Sequence, residues 1–87
     1  MSNASSKGNN PERWEKFLHG LDDKLQLGLL DKMHKIAAYH FEEDVLYLQP
    51  GSTQDEEYLK RDSVFHQLEL LAQDLIAVDK VKLKKLD

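Results

Sequence analysis

The side chains of this sequence best suited to moving protons or holding a cation are four histidines, several carboxylates and one arginine. The histidines are His19, His34, His40 and His66. On a helical wheel at about 100° per residue, His66 points away from the apolar stripe, among Asp62, Glu69 and Gln73. That is a solvated surface position. His34 flanks its stripe as a boundary residue. His19 falls in the last turn before Gly20, where an imidazole favours the negative end of the helix dipole. His40 and Asp44 stand one turn apart on an apolar face. A carboxylate there needs a partner or nearby water. Arg61 falls on the apolar face of the next helix, so Asp44 and Arg61 are expected to form a structural polar pair near a hairpin tip, with His40 sharing the carboxylate. The sharper reading of the same residues is a metal or acid–base site.

Other catalytic signatures are weak or missing. Ser63 stands three residues before His66, with no oxyanion donor in prospect. Asp31 and His34 have the acid-x-x-His spacing of helical di-metal sites once, without its repeats. The sequence has no phosphate-binding glycine loop, no nucleophile elbow and no zinc spacing. It has no cysteine, hence no disulfide framework and no thiolate ligand. The expectation is a protein that is not an enzyme and carries no cofactor.

The run Tyr39-His40-Phe41-Glu42-Glu43-Asp44, a loop, and then Val64-Phe65-His66-Gln67-Leu68 resembles the second half of a hemerythrin-like domain. The resemblance spans about 30 residues. It implies a metal held by His40, Asp44 and His66 on paired helices. This sequence has Leu70 where the family commonly places another ligand, one turn after the later histidine.

The elements that must position these residues read as three helices. Asn10-Pro11-Glu12 is a strong helix start: a capping side chain, a proline at the first helical position and an acid in the first turn. This helix is expected over 11–19, ending at Gly20 as its C-cap, with Trp14, Phe17, Leu18 and Leu21 on one face. A longer helix follows over 22–49. Leu29, Leu30, Met33, Ile36, Ala37, Phe41 and Leu48 share its face, and Pro50-Gly51 ends it. Thr53 with Glu56 looks like a capping box opening a third helix over 54–79. Leu68, Leu71, Ala72, Leu75 and Ile76 form its face. The following lysines either continue that helix or fray.

The five-residue link from Gln49 to Thr53 would fold the two long helices antiparallel. A register that opposes Met33 to Ala72, Ala37 to Leu68 and Leu30 to Leu75 also sets Asp44 beside Arg61. The expected fold class is all-α: a short N-terminal helix on a long antiparallel helical hairpin, a three-helix bundle. Residues 1–10 read as a disordered tail and 11–87 as one helical domain. Met33, Ala37, Phe41, Leu68, Ala72 and Leu75 are the expected core.

Composition points to function only by class. The chain has 87 residues, room for one small domain. Sixteen acids against twelve Lys and Arg give a net charge of −4, the wrong sign for a dedicated nucleic-acid binder. No apolar run exceeds four residues, whereas a membrane span needs about 20. A cytoplasmic or nuclear location follows as the expectation, with no secretion signal.

Leu27, Leu46, Leu59 and Leu70 lie off the main stripes. Glu42, Glu43, Glu56 and Glu57 crowd the expected hairpin tip. The leading expectation is a protein–protein interaction module, a small adaptor or subunit, binding through these leucines and glutamates. Its partner is another protein, or a second copy in a homodimer. The alternatives are the hemerythrin-like metal site and a regulator that touches nucleic acid through its C-terminal lysines.

Overall fold

A computed structural model describes residues 8–84. It contains α1 (Pro11–Asp23), α2 (Leu27–His34), β1 (Ala38–Glu42), β2 (Val45–Gln49), α3 (Thr53–Lys60), α4 (Asp62–Ile76) and β3 (Lys80–Leu83). The strands form one sheet in the order β1-β2-β3. β1 and β2 pair antiparallel, and β2 and β3 pair parallel through the α3–α4 crossover. The fold is therefore α+β, and the expected all-α helical hairpin and bundle are overturned. No described helix is long and apolar enough to cross a membrane.

α1 starts as its residues dictate. The Asn10 side chain accepts the Arg13 N–H at 3.1 Å, and Pro11 takes the first helical position. Trp14, Phe17, Leu18 and Leu21 are buried on one face. The helix does not stop at Gly20. That glycine serves close packing instead: a Cβ there would lie 2.6 Å from the Leu75 methyls of α4. α1 ends three residues later. Leu25 N–H bonds to the Asp22 carbonyl at 3.0 Å and Gln26 N–H to the Leu21 carbonyl at 2.8 Å. This is the Schellman pattern, with Leu25 at its left-handed position, φ 59°.

The helix expected over 22–49 is confined to Leu27–His34, and residues 22–23 belong to the end of α1. Beyond His34 the period of two prevails. Tyr39 and Phe41 in β1, and Leu46 and Leu48 in β2, point into the core, while their neighbours face outward. Beta-branched and aromatic residues at 39, 41, 45 and 47 favour this pleated surface. Glu43 and Asp44 form the two-residue turn, with Glu43 at φ 55°. Phe41 and Leu48 fit a helical stripe by count, but burial against the helices is achieved by alternation. Ala37, an expected core residue, is exposed because it lies in the α2–β1 link.

The third expected helix is two helices. Arg61, at φ −62° and ψ 134°, breaks it. Ser52 rather than Thr53 caps α3, accepting the Asp55 N–H at 3.1 Å. α4 buries Leu68, Leu71, Ala72 and Ile76, with Leu75 partly buried against the same core. It ends with Ala77 at φ 56°, and the lysine-rich segment then becomes β3 rather than more helix. Arg13 from α1 seals this end, donating to the Ile76 carbonyl at 2.6 and 3.2 Å. The guanidinium also lies 4.8 Å from the Phe41 ring centroid. Trp14 stacks on Tyr39 at 4.4 Å between centroids, joining α1 to the sheet.

The disorder expected over 1–7 lies outside the described residues. Asn9 is engaged with the sheet. It donates to the Phe41 carbonyl at 2.7 Å and accepts the Phe41 N–H at 2.8 Å.

Candidate functional site

The expected Asp44–Arg61 pair is not formed. Its register required two continuous antiparallel helices, and neither exists. Asp44 sits in the β1–β2 turn, where its carbonyl accepts the Asp79 N–H at 2.8 Å and the Lys80 N–H at 3.2 Å. Arg61 lies at the α3–α4 junction, its guanidinium 5.6 Å from the Tyr58 ring centroid. The buried ionic contact is Lys32–Asp55, 3.0 Å, with Asp55 only 7% exposed. The hydrogen bond to Asp55 holds the Lys32 ammonium above its usual pKa, and the charges of Asp55 and Asp31 act in the same direction. The signal for Asp55 was Ser52-x-x-Asp55, a cap one residue earlier than the one inferred.

The residues of the metal alternative occupy different elements. His40 is on β1, facing outward beside Glu42 at 3.7 Å and Tyr47. Asp44 is in the turn, and His66 is on α4. Among the described residues no group of three His, Asp or Glu side chains is placed to hold a metal. The hemerythrin-like reading placed His40 on a helix, and that helix is a strand. His19 and His34 line one shallow cleft with Glu15 and Asp22.

The expected partner residues divide. Leu46 and Leu59 are fully buried inside this chain and belong to the core. Leu46 points inward by strand alternation, and Leu59 lies on the inner face of the short α3. The glutamates do not form one tip. Glu42 and Glu43 stand at the β1–β2 turn, while Glu56 and Glu57 lie on α3, beyond the opposite end of β2. Glu56 pairs with Lys60 at 3.4 Å.

Leu27 and Leu70 are exposed, at 56% and 46%, and Leu25 is 77% exposed. These three are the exposed large hydrophobics of the described residues. They border one surface. Leu25 and Leu27 flank the α1–α2 junction, above a groove of about 360 Å³ that Tyr58, Ser63, Val64 and Gln67 also line. Gly28 keeps this groove open towards Tyr58: a Cβ there would lie 3.0 Å from the phenol oxygen. Leu70 is one helical turn beyond Gln67 on α4. One turn further, Asp74 pairs with Lys24 at 3.4 Å, next to Leu25. The stripe Ser63, Gln67, Leu70, Asp74 thus runs beside the α1–α2 junction.

Sequence reasoning singled out Leu27 and Leu70 but missed Leu25. Gly20 carries the usual signal for a helix end, whereas the left-handed position falls on a leucine, which carries none. Comparison with family models, with curated proteins and with solved structures finds no match to this chain.

Proposed function

We propose that this chain is a non-enzymatic protein–protein interaction module that binds through the Leu25, Leu27 and Leu70 surface. The observation that carries the reading is Leu25. A left-handed backbone disfavours a branched side chain by about 1–2 kcal/mol relative to the right-handed form. Glycine is the residue that relieves this strain at a Schellman end. Leu25 accepts the strain and, at 77% exposed, recovers almost none of it through burial in its own fold. Its apolar side chain is best accounted for by contact with another molecule. Leu27 lines the same groove as Leu25, Leu70 stands one helical turn from that groove's Gln67, and the Gln26, Tyr58, Ser63 and Gln67 side chains supply hydrogen-bonding groups around the leucines.

The test compares partner capture by the whole chain with capture by Leu25→Gly and Leu27→Ser. Both variants are expected to stay folded and to lose the partner. Capture indifferent to both substitutions would sink the reading. Sedimentation velocity separates the two kinds of partner: concentration-dependent self-association that Leu27→Ser removes identifies a second copy.

A further inference from the structure

The sheet has two edges, and they are treated differently. The β1 edge is closed. Asn9 satisfies both main-chain groups of Phe41, and Gly8 passes so near Tyr39 that a Cβ there would collide with its carbonyl oxygen. The β3 edge has no strand beside it among the described residues. Lys80 and Lys84 direct their N–H groups to β2, bonding the carbonyls of Asp44 and Leu48. By the alternation of a parallel strand, Val81 and Leu83 turn their main-chain groups to the outer edge. The structure shows what that edge accepts: the Val81 N–H is bonded at 3.2 Å by a carboxylate oxygen of Glu69, from α4.

Beside this edge lies a groove of about 370 Å³, lined by Lys60, Asp62, Phe65, His66, Glu69 and Leu83. Phe65 and Leu83, both partly buried, provide its apolar surface. On the other face of the strand Lys80 and Lys82 are exposed, followed by Lys84. An added strand would therefore meet two environments in alternation: an apolar groove on the helix side and a row of lysines on the solvent side. The lysines also select the occupant. A second copy pairing through its own β3 would set lysine against lysine, which is unfavourable across strands. A strand bearing carboxylates would meet opposite charge.

We infer that the β3 edge receives an extended acidic segment of a partner protein, alternating apolar and acidic residues, by strand addition. Glu69 acts as a placeholder at the Val81 N–H and swings away when a partner carbonyl takes its position. This rests on the reading of the chain as an interaction module but uses a face separate from Leu25 and Leu27.

The test titrates the whole chain against a fluorescein-labelled octapeptide alternating valine with glutamate. The same peptide with lysine for glutamate serves as the comparison. The glutamate peptide is expected to bind and the lysine peptide to fail. Binding should weaken with added salt. Lys80→Glu with Lys82→Glu should weaken it roughly tenfold, the combined effect of two reversed surface pairs. Glu69→Gln should tighten it severalfold, since it removes the competing carboxylate. Amide exchange at Val81 and Leu83 should slow in the complex. Leu25→Gly should leave peptide binding unchanged. Failure of the glutamate peptide to bind, equal binding of both peptides, or unprotected Val81 and Leu83 amides would each overturn the inference. Competition by a single-stranded oligothymidylate with those amides unprotected would make the lysines a polyanion site and also overturn it. Partner capture dependent on Leu25 would survive all of these results, so the two readings fail separately. Loss of peptide binding in Leu25→Gly would move the peptide to the leucine surface and overturn strand addition.

Discussion

Asn9 holds Phe41 by both of its main-chain groups, accepting the N–H at 2.8 Å and donating to the carbonyl at 2.7 Å. A side-chain amide here imitates the backbone of a neighbouring strand. Asn9→Ala removes both bonds and should destabilise the fold by about 1–2 kcal/mol, near the usual net contribution of two hydrogen bonds. Asn9→Asp keeps an acceptor but sets a carboxylate against the Phe41 carbonyl, so it should not rescue. Urea denaturation, with amide exchange at Phe41, checks both. An alanine variant as stable as the parent would show that water replaces the amide without loss.

Arg13 joins the start of α1 to the end of α4. Its guanidinium donates to Ile76 and Ala77 and lies over the Phe41 ring. Arg13→Met keeps much of the side-chain bulk and removes the fork of donors. It should cost about 2 kcal/mol, within the range for hydrogen bonds made by charged groups. Arg13→Lys should recover less than half, because an ammonium cannot reproduce the planar fork. Chemical denaturation of the three proteins decides it, and full rescue by lysine would reduce the contact to simple charge.

Leu25→Gly should stabilise the isolated chain. The left-handed position at φ 59° suits glycine, and little burial is lost. The expected gain is about 0.5–1 kcal/mol, after subtracting the extra chain entropy of glycine in the unfolded state. A thermal or urea midpoint that falls instead would mean that the leucine side chain supports its own fold.

The Lys32–Asp55 contact sets an alkaline limit. The pKa of Lys32 is raised above its usual 10.5 by the bond to Asp55. A lysine with a raised folded pKa stabilises fully below its unfolded value and loses that contribution as pH rises through the folded one. Wild type should therefore exceed Lys32→Met in stability at neutral pH. The difference should shrink only above about pH 10.5, the ordinary lysine value. Urea midpoints from pH 7 to the alkaline limit test this, and a difference already closing below pH 9 would contradict it.

The legible parts of the fold were those in which local and tertiary demands agree. Asn10-Pro11-Glu12 specified a helix start, and Trp14, Phe17, Leu18 and Leu21 specified its buried face. The stripe Leu68, Leu71, Ala72 and Ile76 likewise placed α4 against the core. The region 36–49 reads as helix because Phe41 and Leu48 satisfy a helical count, yet Tyr39, Phe41, Leu46 and Leu48 equally satisfy alternation around a turn, and the strands prevail. No glycine or asparagine marks that turn: Glu43 occupies the left-handed corner. Arg61 breaks the third helix with neither proline nor glycine to announce it. The same difficulty recurs at the candidate site, where Leu25 stands in a backbone conformation usually reserved for glycine.

The parallel pairing of β2 with β3 has a consequence for the order of folding. β2 finds β1 locally, through a two-residue turn. Its other edge, running through Leu46, Tyr47 and Leu48, has no native neighbour until residues 80–83 return across the α3–α4 crossover. A hairpin closes in about 1–10 μs, whereas a pairing between segments far apart in sequence must first meet the entropy of closing a long loop. Until then β2 presents a row of unpaired main-chain N–H and C=O groups that the completed fold conceals. The segment from 50 to 79 must form its two helices while that edge stands open, which makes this stage of folding the one most exposed to misassembly.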